Sequence, residues 1–276
     1  QNYAGSTNGT FVIAKAVPQL GWTDPASIVY GTALSEAQLN ADADVPGTFQ
    51  YAPAAGTVLA AGTHQLTVSF SPEDAANYHT VHTVRELEVV KAAATITLQG
   101  LSAIYDGQPK PVTATTSPAG LTVQITYSGS ANAPVNAGTW PVEAVIVHHN
   151  YEGATTGELV IDKAAQTISF APIADLLFQH EPIWLVASAS SGLEVQFEIS
   201  GPALREENSL FLATPGQISV RALQSGNANY HPAPDVTQSF RVSANLLWWR
   251  GVHFTPEELL DEAVGVLRDW DRLLAE

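Results

Sequence analysis

The 276-residue chain contains no cysteine, which excludes disulfide staples and thiolate metal sites. It does not exclude secretion. Methionine is absent too, and a chain free of both sulfur side chains suits an oxidant-exposed protein. No run of about 18 apolar residues occurs, so no helical membrane span is expected in this segment. Positive charge is scarce: 11 Lys and Arg stand against 27 Asp and Glu, for a net charge of −16. Such a surface repels nucleic-acid phosphate and anionic lipid, so nucleic acid is not an expected partner. It favours solubility and is compatible with loosely held calcium. Charged residues of both signs make up only 14% of the chain. The bulk is Ala, Thr, Val, Ser, Gly and Pro, a composition that points to β-sandwich arrays rather than helical enzymes.

What is present is repetition. Residues 1–16 read QNYAGSTNGTFVIAKA and residues 149–164 read HNYEGATTGELVIDKA. The Asn-Tyr pair recurs at Asn2-Tyr3, Asn77-Tyr78, Asn150-Tyr151 and Asn229-Tyr230, at spacings of 75, 73 and 79. Each pair is followed by an apolar strand that closes a unit: FVIAKA, LEVVKA, LVIDKA and SFRVSA. A fixed period of this kind marks a repeat architecture. The expected organisation is the terminal strand of a truncated repeat (1–16), three complete repeats (17–92, 93–164 and 165–243) and a tail (244–276). Residue 1 is Gln, and the chain is expected to be a segment of a longer protein cut inside a repeat.

Each repeat reads as β. Leu66, Val68 and Phe70 alternate, as do Val123, Ile125 and Tyr127, then Val195, Phe197 and Ile199, then Ile218, Val220 and Ala222. Period-2 alternation marks half-buried strands, and Gly- and Pro-containing breaks separate them. About seven short strands per unit suggest an immunoglobulin-like sandwich. Joints as short as KAAAT and DKAAQT predict limited bending and a rod.

The repeats resemble the MBG and YDG-type immunoglobulin-like repeats of bacterial cell-surface and secreted proteins. The residues that carry the resemblance are 21–41 and 45–78, centred on Val29-Tyr30-Gly31, and 101–129 with Tyr105-Asp106-Gly107. The third repeat is similar to a related bacterial repeat through residues 189–203 and SGNANY (225–230), with His180-Glu181-Pro182 in place of the usual Gly-Asp turn. The resemblance implies a non-catalytic stalk or adhesive array, with an extracellular or bacterial cell-surface location and no cofactor. It names no ligand.

The structural repeat positions are Tyr3, Tyr78, Tyr151 and Tyr230, with Tyr30, Gly31, Tyr105 and Gly107 at the turns. Tyr78, Tyr151 and Tyr230 are expected at equivalent places, largely buried, each hydroxyl bonded to backbone in a corner arrangement. The glycines of Tyr-Gly and Tyr-Asp-Gly are expected to supply positive φ. For chemistry there is little. No Gly-x-Ser-x-Gly elbow, phosphate loop or His-Glu-x-x-His occurs. His79 and His82, three apart, fall on opposite faces of a strand, as do His148 and His149, so neither makes a metal pair. Calcium between repeats would draw on Asp24, Glu73, Asp74 or Asp106. No metal, catalytic or cofactor residue is assigned.

The tail differs in kind. Thr255 as cap, Pro256 in the first turn and Glu258 three residues after the cap announce a helix over 256–274. Leu260, Ala263, Leu267, Trp270 and Leu274 form one apolar stripe, expected to dock on the last sandwich or on a partner. The expected whole is therefore all-β: tandem immunoglobulin-like sandwiches in an elongated array, with a C-terminal amphipathic α-helix. Its expected role is a structural or adhesive stalk segment. Partners would be an unknown surface glycan or protein, or neighbouring repeats of the same chain. Two alternatives remain. One is a carbohydrate- or protein-binding module with Trp22, Trp140 or Trp184 as platform. The other is a set of accessory domains of a secreted enzyme.

Overall fold

A computed structural model describes residues 1, 3–244 and the backbone of 248–249 and 252–253. Among the described residues the regular structure is all β, with no α-helix. The helix expected over 256–274, with Leu260, Ala263, Leu267, Trp270 and Leu274, lies outside the described residues. The chain divides into two compact units. One holds residues 1–101, 111–133 and 140–159; the other holds 102–110, 134–139 and the chain from 160 onward.

In the first unit, the repeat 17–92 is built on a four-stranded sheet. Its order is Ile28–Val29, Val81–Val90, Gly62–Pro72, Gly47–Ala52. The alternation in the sequence sets its inner face: Leu66, Val68 and Phe70 are fully buried, and Leu87 on the neighbouring strand joins Leu66 and Val68 in one core. Burying side chains of this size is worth about 1.5–3 kcal/mol each relative to leaving them exposed. Opposite the sheet, Trp22, Leu34 and Leu39 close the core. The Trp22 indole N–H donates to the Gln38 carbonyl at 3.0 Å, so the ring is buried with its polar edge satisfied. The same unit holds part of the next repeat. There Thr95–Gln99 pairs antiparallel with Thr113–Ser117, and Val123–Tyr127 pairs antiparallel with residues 142–146. Val112, Val142, Ala144, Ile146 and Leu159 are buried here.

In the second unit, residues 160–162 pair parallel with Ser102–Ile104. The repeat 165–243 follows, with a four-stranded sheet ordered Leu176–Leu177, Val236–Ser243, Gly216–Leu223, Gln196–Ser200. A three-stranded sheet ordered Ile183–Trp184, Ser209–Leu212, Ala203–Glu206 and a pair of Ile168–Phe170 with Ala187–Ala189 complete it. Its core gathers Phe170, Phe197, Leu210, Ile218, Val220 and Phe240 among others.

One device recurs in all three repeats. A short strand lies parallel on the closing strand: Ile28–Val29 on 89–90, Ser102–Ile104 on 160–162, and Leu176–Leu177 on 242–243. The aromatic residue that follows donates its N–H back to that strand. Tyr30 donates to the Val90 carbonyl at 2.8 Å, Tyr105 to Asp162 at 2.9 Å, and Phe178 to Ser243 at 2.8 Å. This register corrects the alignment of the closing strands. Lys91 and Lys163 directly follow these acceptors, so the matching place in the third repeat belongs to Ala244, one residue beyond the Ser of SFRVSA.

Candidate functional site

The recurrent Asn-Tyr pairs, the Tyr-Gly turns and the closing lysines come together at the joints. In the first unit, Ala92 and Ala93 run parallel to Tyr151 and Glu152. Ala92 N–H donates to the Asn150 carbonyl at 2.9 Å, and Ala94 N–H to the Glu152 carbonyl at 2.8 Å. Beside this ladder Lys91 Nζ donates to the His148 carbonyl at 3.0 Å. The Asn150 side-chain oxygen accepts the N–H of Ala61 at 2.9 Å. Tyr151 meets Tyr30 edge to face, with centroids 5.3 Å apart and planes at 81°.

The second unit repeats the lysine, bridge, asparagine and tyrosine contacts. Lys163 Nζ donates to the Asn227 carbonyl at 2.7 Å. Ala164 bridges Tyr230 in parallel, giving its N–H to the Asn229 carbonyl and taking that of His231, both at 2.9 Å. The Asn229 side-chain oxygen accepts the N–H of Ala137 at 2.9 Å. Tyr230 meets Tyr105 at 5.3 Å and 83°.

The chemistry explains the residue types. Ala61 and Ala137 each stand one residue before a strand-opening glycine, Gly62 at φ +128° and Gly138 at φ +147°. That backbone turns the preceding N–H out of the ladder, and a short side-chain acceptor must reach it. Asn supplies a neutral oxygen there without placing a charge in a half-buried seam. Two tyrosines crossing edge to face add attraction beyond the area they cover. Gly31 and Gly107, at φ +96° and +81°, let the chain turn away directly behind Tyr30 and, two residues on, Tyr105.

The first repeat carries half of the same arrangement at its other end. Lys15 Nζ donates to the Ala75 carbonyl at 2.6 Å, and Ala16 bridges Tyr78 in parallel, its N–H on the Asn77 carbonyl at 2.8 Å. Asn77 is exposed, where Asn150 and Asn229 are half-buried. Its side-chain amide instead donates to Asp74 at 2.9 Å. That bond, joined by the backbone N–H groups of Asn77 and Ala76 and by Lys15, holds the Asp74 carboxyl below the usual carboxylate range against the opposing effect of desolvation.

Several expectations change. Tyr78, Tyr151 and Tyr230 are half-buried rather than buried in cores, and the rings of Tyr151 and Tyr230 face a tyrosine of the neighbouring repeat; Tyr3 is exposed. The expected bond between hydroxyl and backbone belongs to other tyrosines. Tyr51 Oη accepts from Ala41 N–H at 2.9 Å and Tyr127 Oη from Val112 N–H at 2.7 Å. Trp22 is spent on its core and is no platform ring. Trp140 is half-buried, whereas Trp184 is 71% exposed. Of the calcium candidates, Asp24 pairs with Arg85 at 3.1 Å and Asp106 with Lys110 at 2.5 Å. Sequence reasoning missed Ala61 and Ala137, whose contribution is a backbone N–H. The signal was available: each precedes a Gly that opens a strand.

The arrangement defines an all-β array of immunoglobulin-like repeats whose recurrent residues make joints. Residues 94–165 match the family model described as the MBG domain, and that segment is an MBG-type immunoglobulin-like repeat. No curated protein matches the chain. Among solved structures it is similar to Sidekick-1 immunoglobulin domains 1–5, at 12% identity and a TM-score of 0.32, covering 82% of this chain and 58% of that one. It is also similar to Drosophila N-cadherin EC1–3, at 10% identity and a TM-score of 0.31, covering 81% and 99%. A third likeness is to the fibronectin(III)-like modules of Clostridium thermocellum CbhA, at 13% identity and a TM-score of 0.26, covering 54% and 95%. At these scores the likenesses carry no argument about partners or activity.

Proposed function

We propose that the chain is a non-catalytic structural or adhesive stalk segment of a larger bacterial cell-surface or secreted protein, with its repeats in an elongated array. The observation that carries this reading is the duplicated joint. The same four contacts recur, made by the residues that recur in the sequence: Lys to carbonyl, a parallel bridge, Asn oxygen to backbone N–H, and Tyr on Tyr. Nearest-neighbour contacts of this kind are how repeat proteins couple one unit to the next. Small-angle scattering on the chain tests it. The expected profile is that of an elongated particle; a compact globule would sink the stalk reading.

One observation favours a binding module. On the three-stranded sheet of the third repeat, Leu204 stands directly opposite Phe211, and both are exposed with Trp184 on the strand beside them. A glycan array and a panel of bacterial surface proteins, read with Trp184→Ala alongside, test that alternative.

A further inference from the structure

The joint has two faces, and they are not alike. The giving face carries a closing lysine, a free N–H ahead of the strand-opening glycine, and an aromatic ring at the first turn: Lys91, Ala61 and Tyr30 in the first repeat, Lys163, Ala137 and Tyr105 in the second. The receiving face carries the Asn side-chain oxygen, the following Tyr ring, and a carbonyl two residues before the Asn: His148 before Asn150, Asn227 before Asn229. Ala75 stands in that place before Asn77 and already accepts Lys15.

We propose that the Asn77–Tyr78 end of the first repeat is a docking surface for the giving face of an MBG-type repeat, and that the third repeat, 165–243, is unable to act as such a giver. Continuity with a contact already made supports the first half. Lys15 and Ala16 occupy the lysine and bridge positions of the joint at Ala75, Asn77 and Tyr78. The Asn77 oxygen and the Tyr78 ring are the two receiving groups left for an N–H and a tyrosine. The occupant is therefore defined by chemistry: a repeat with Tyr-Gly or Tyr-Asp-Gly at its first turn and Ala-Gly at its strand opening.

The second half rests on what the third repeat holds in the three giving places. The ring position is Phe178, fixed by the same N–H bond to the closing strand. The lysine position is Ala244. The residue before the strand-opening Gly216 is Pro215, which has no N–H to give. A receiving Asn placed against this face would lose its donor, and the seam would lose its lysine. The joint is thus directional, and the third repeat ends the run of joints. This inference stands on joint geometry alone and holds whether or not the array is a stalk.

Two fusions test it, each adding one repeat directly before Val17 of the chain in place of residues 1–16. One adds residues 93–164, a giver; the other adds 165–244 followed by a single Ala that keeps the bridge position of Ala16, a non-giver. Backbone hydrogen exchange is read over residues 71–80, which neither fusion duplicates. The giver fusion is expected to slow exchange there by about tenfold relative to the unfused chain. The non-giver fusion is expected to leave it unchanged. In the giver fusion, Asn77→Ala with Tyr78→Leu is expected to abolish the slowing. So is Ala137→Pro in the added copy alone, a residue the third repeat already carries at that place. Equal exchange in both fusions overturns the proposal, as does protection that survives both sets of substitutions.

Discussion

Asn150 and Asn229 are each a single side-chain oxygen on which a backbone N–H depends, that of Ala61 or Ala137. Leaving a half-buried donor unpaired costs about 1–3 kcal/mol. Asn150→Ala is therefore expected to destabilise the first unit by that order, measured by urea unfolding, while Asn77→Ala costs much less because its oxygen meets no such donor. Tyr30 and Tyr151 should show a coupling of about 0.5–1.5 kcal/mol in a double-mutant cycle, the usual worth of an edge-to-face pair. A coupling near zero would mean that the rings only share area. Asp74 gives a pH signature. Its folded carboxyl titrates below the ordinary value, chiefly through the Asn77 side-chain bond. The stabilisation is then full above pH about 4, the unfolded value, and is lost as pH falls through the lowered folded value. A carboxyl NMR titration of Asp74 should show this, and Asn77→Ala should move the midpoint upward.

At the scale of elements, the strands were legible because one face of each is core: Leu66, Val68 and Phe70 alternate in the sequence and are buried together. The repeat period was legible through Asn-Tyr. The role of that pair was not. A half-apolar ring such as Tyr151 fits a core corner and a joint equally well in the sequence, and its partner Tyr30 lies 121 positions away. The register of the third closing strand was hidden because the motif ends in Ser-Ala, and only the parallel pairing of Leu176 with Val242 fixes which residue takes the lysine place. Gly153 shows a further constraint at this scale. A Cβ there would collide with the carbonyl of Ala94, the residue whose N–H donates to Glu152 in the joint ladder. Gly153→Ala is expected to cost about 1–3 kcal/mol as an overpacked site, read by thermal unfolding. The same substitution at Gly5 or Gly9, which meet nothing nearby, should change nothing measurable.

At the scale of the molecule, stability in a repeat array is the sum of each repeat's own core and the terms between neighbours. The cores here are separate and well filled, with Leu66, Val68 and Leu87 in one and Ile218, Val220 and Phe240 in another. The first and third repeats, each with such a core, should therefore fold on their own account, and the joints should decide whether neighbours unfold together. In the first unit the joint rests on uncharged partners throughout, apart from Lys91 on a carbonyl oxygen. Salt should therefore affect the coupling little, despite the net charge of −16. The last expected outcome follows. The double substitution Asn150→Ala with Tyr151→Leu should split a shared calorimetric transition of the first and second repeats into two, while circular dichroism at 25 °C stays as it was. Raising the salt to 0.5 M should not produce that split. A single transition that persists in the double variant would place the coupling in the backbone ladder from Ala92 to Glu152 alone, and would remove the side-chain pair from the account of how one repeat holds the next.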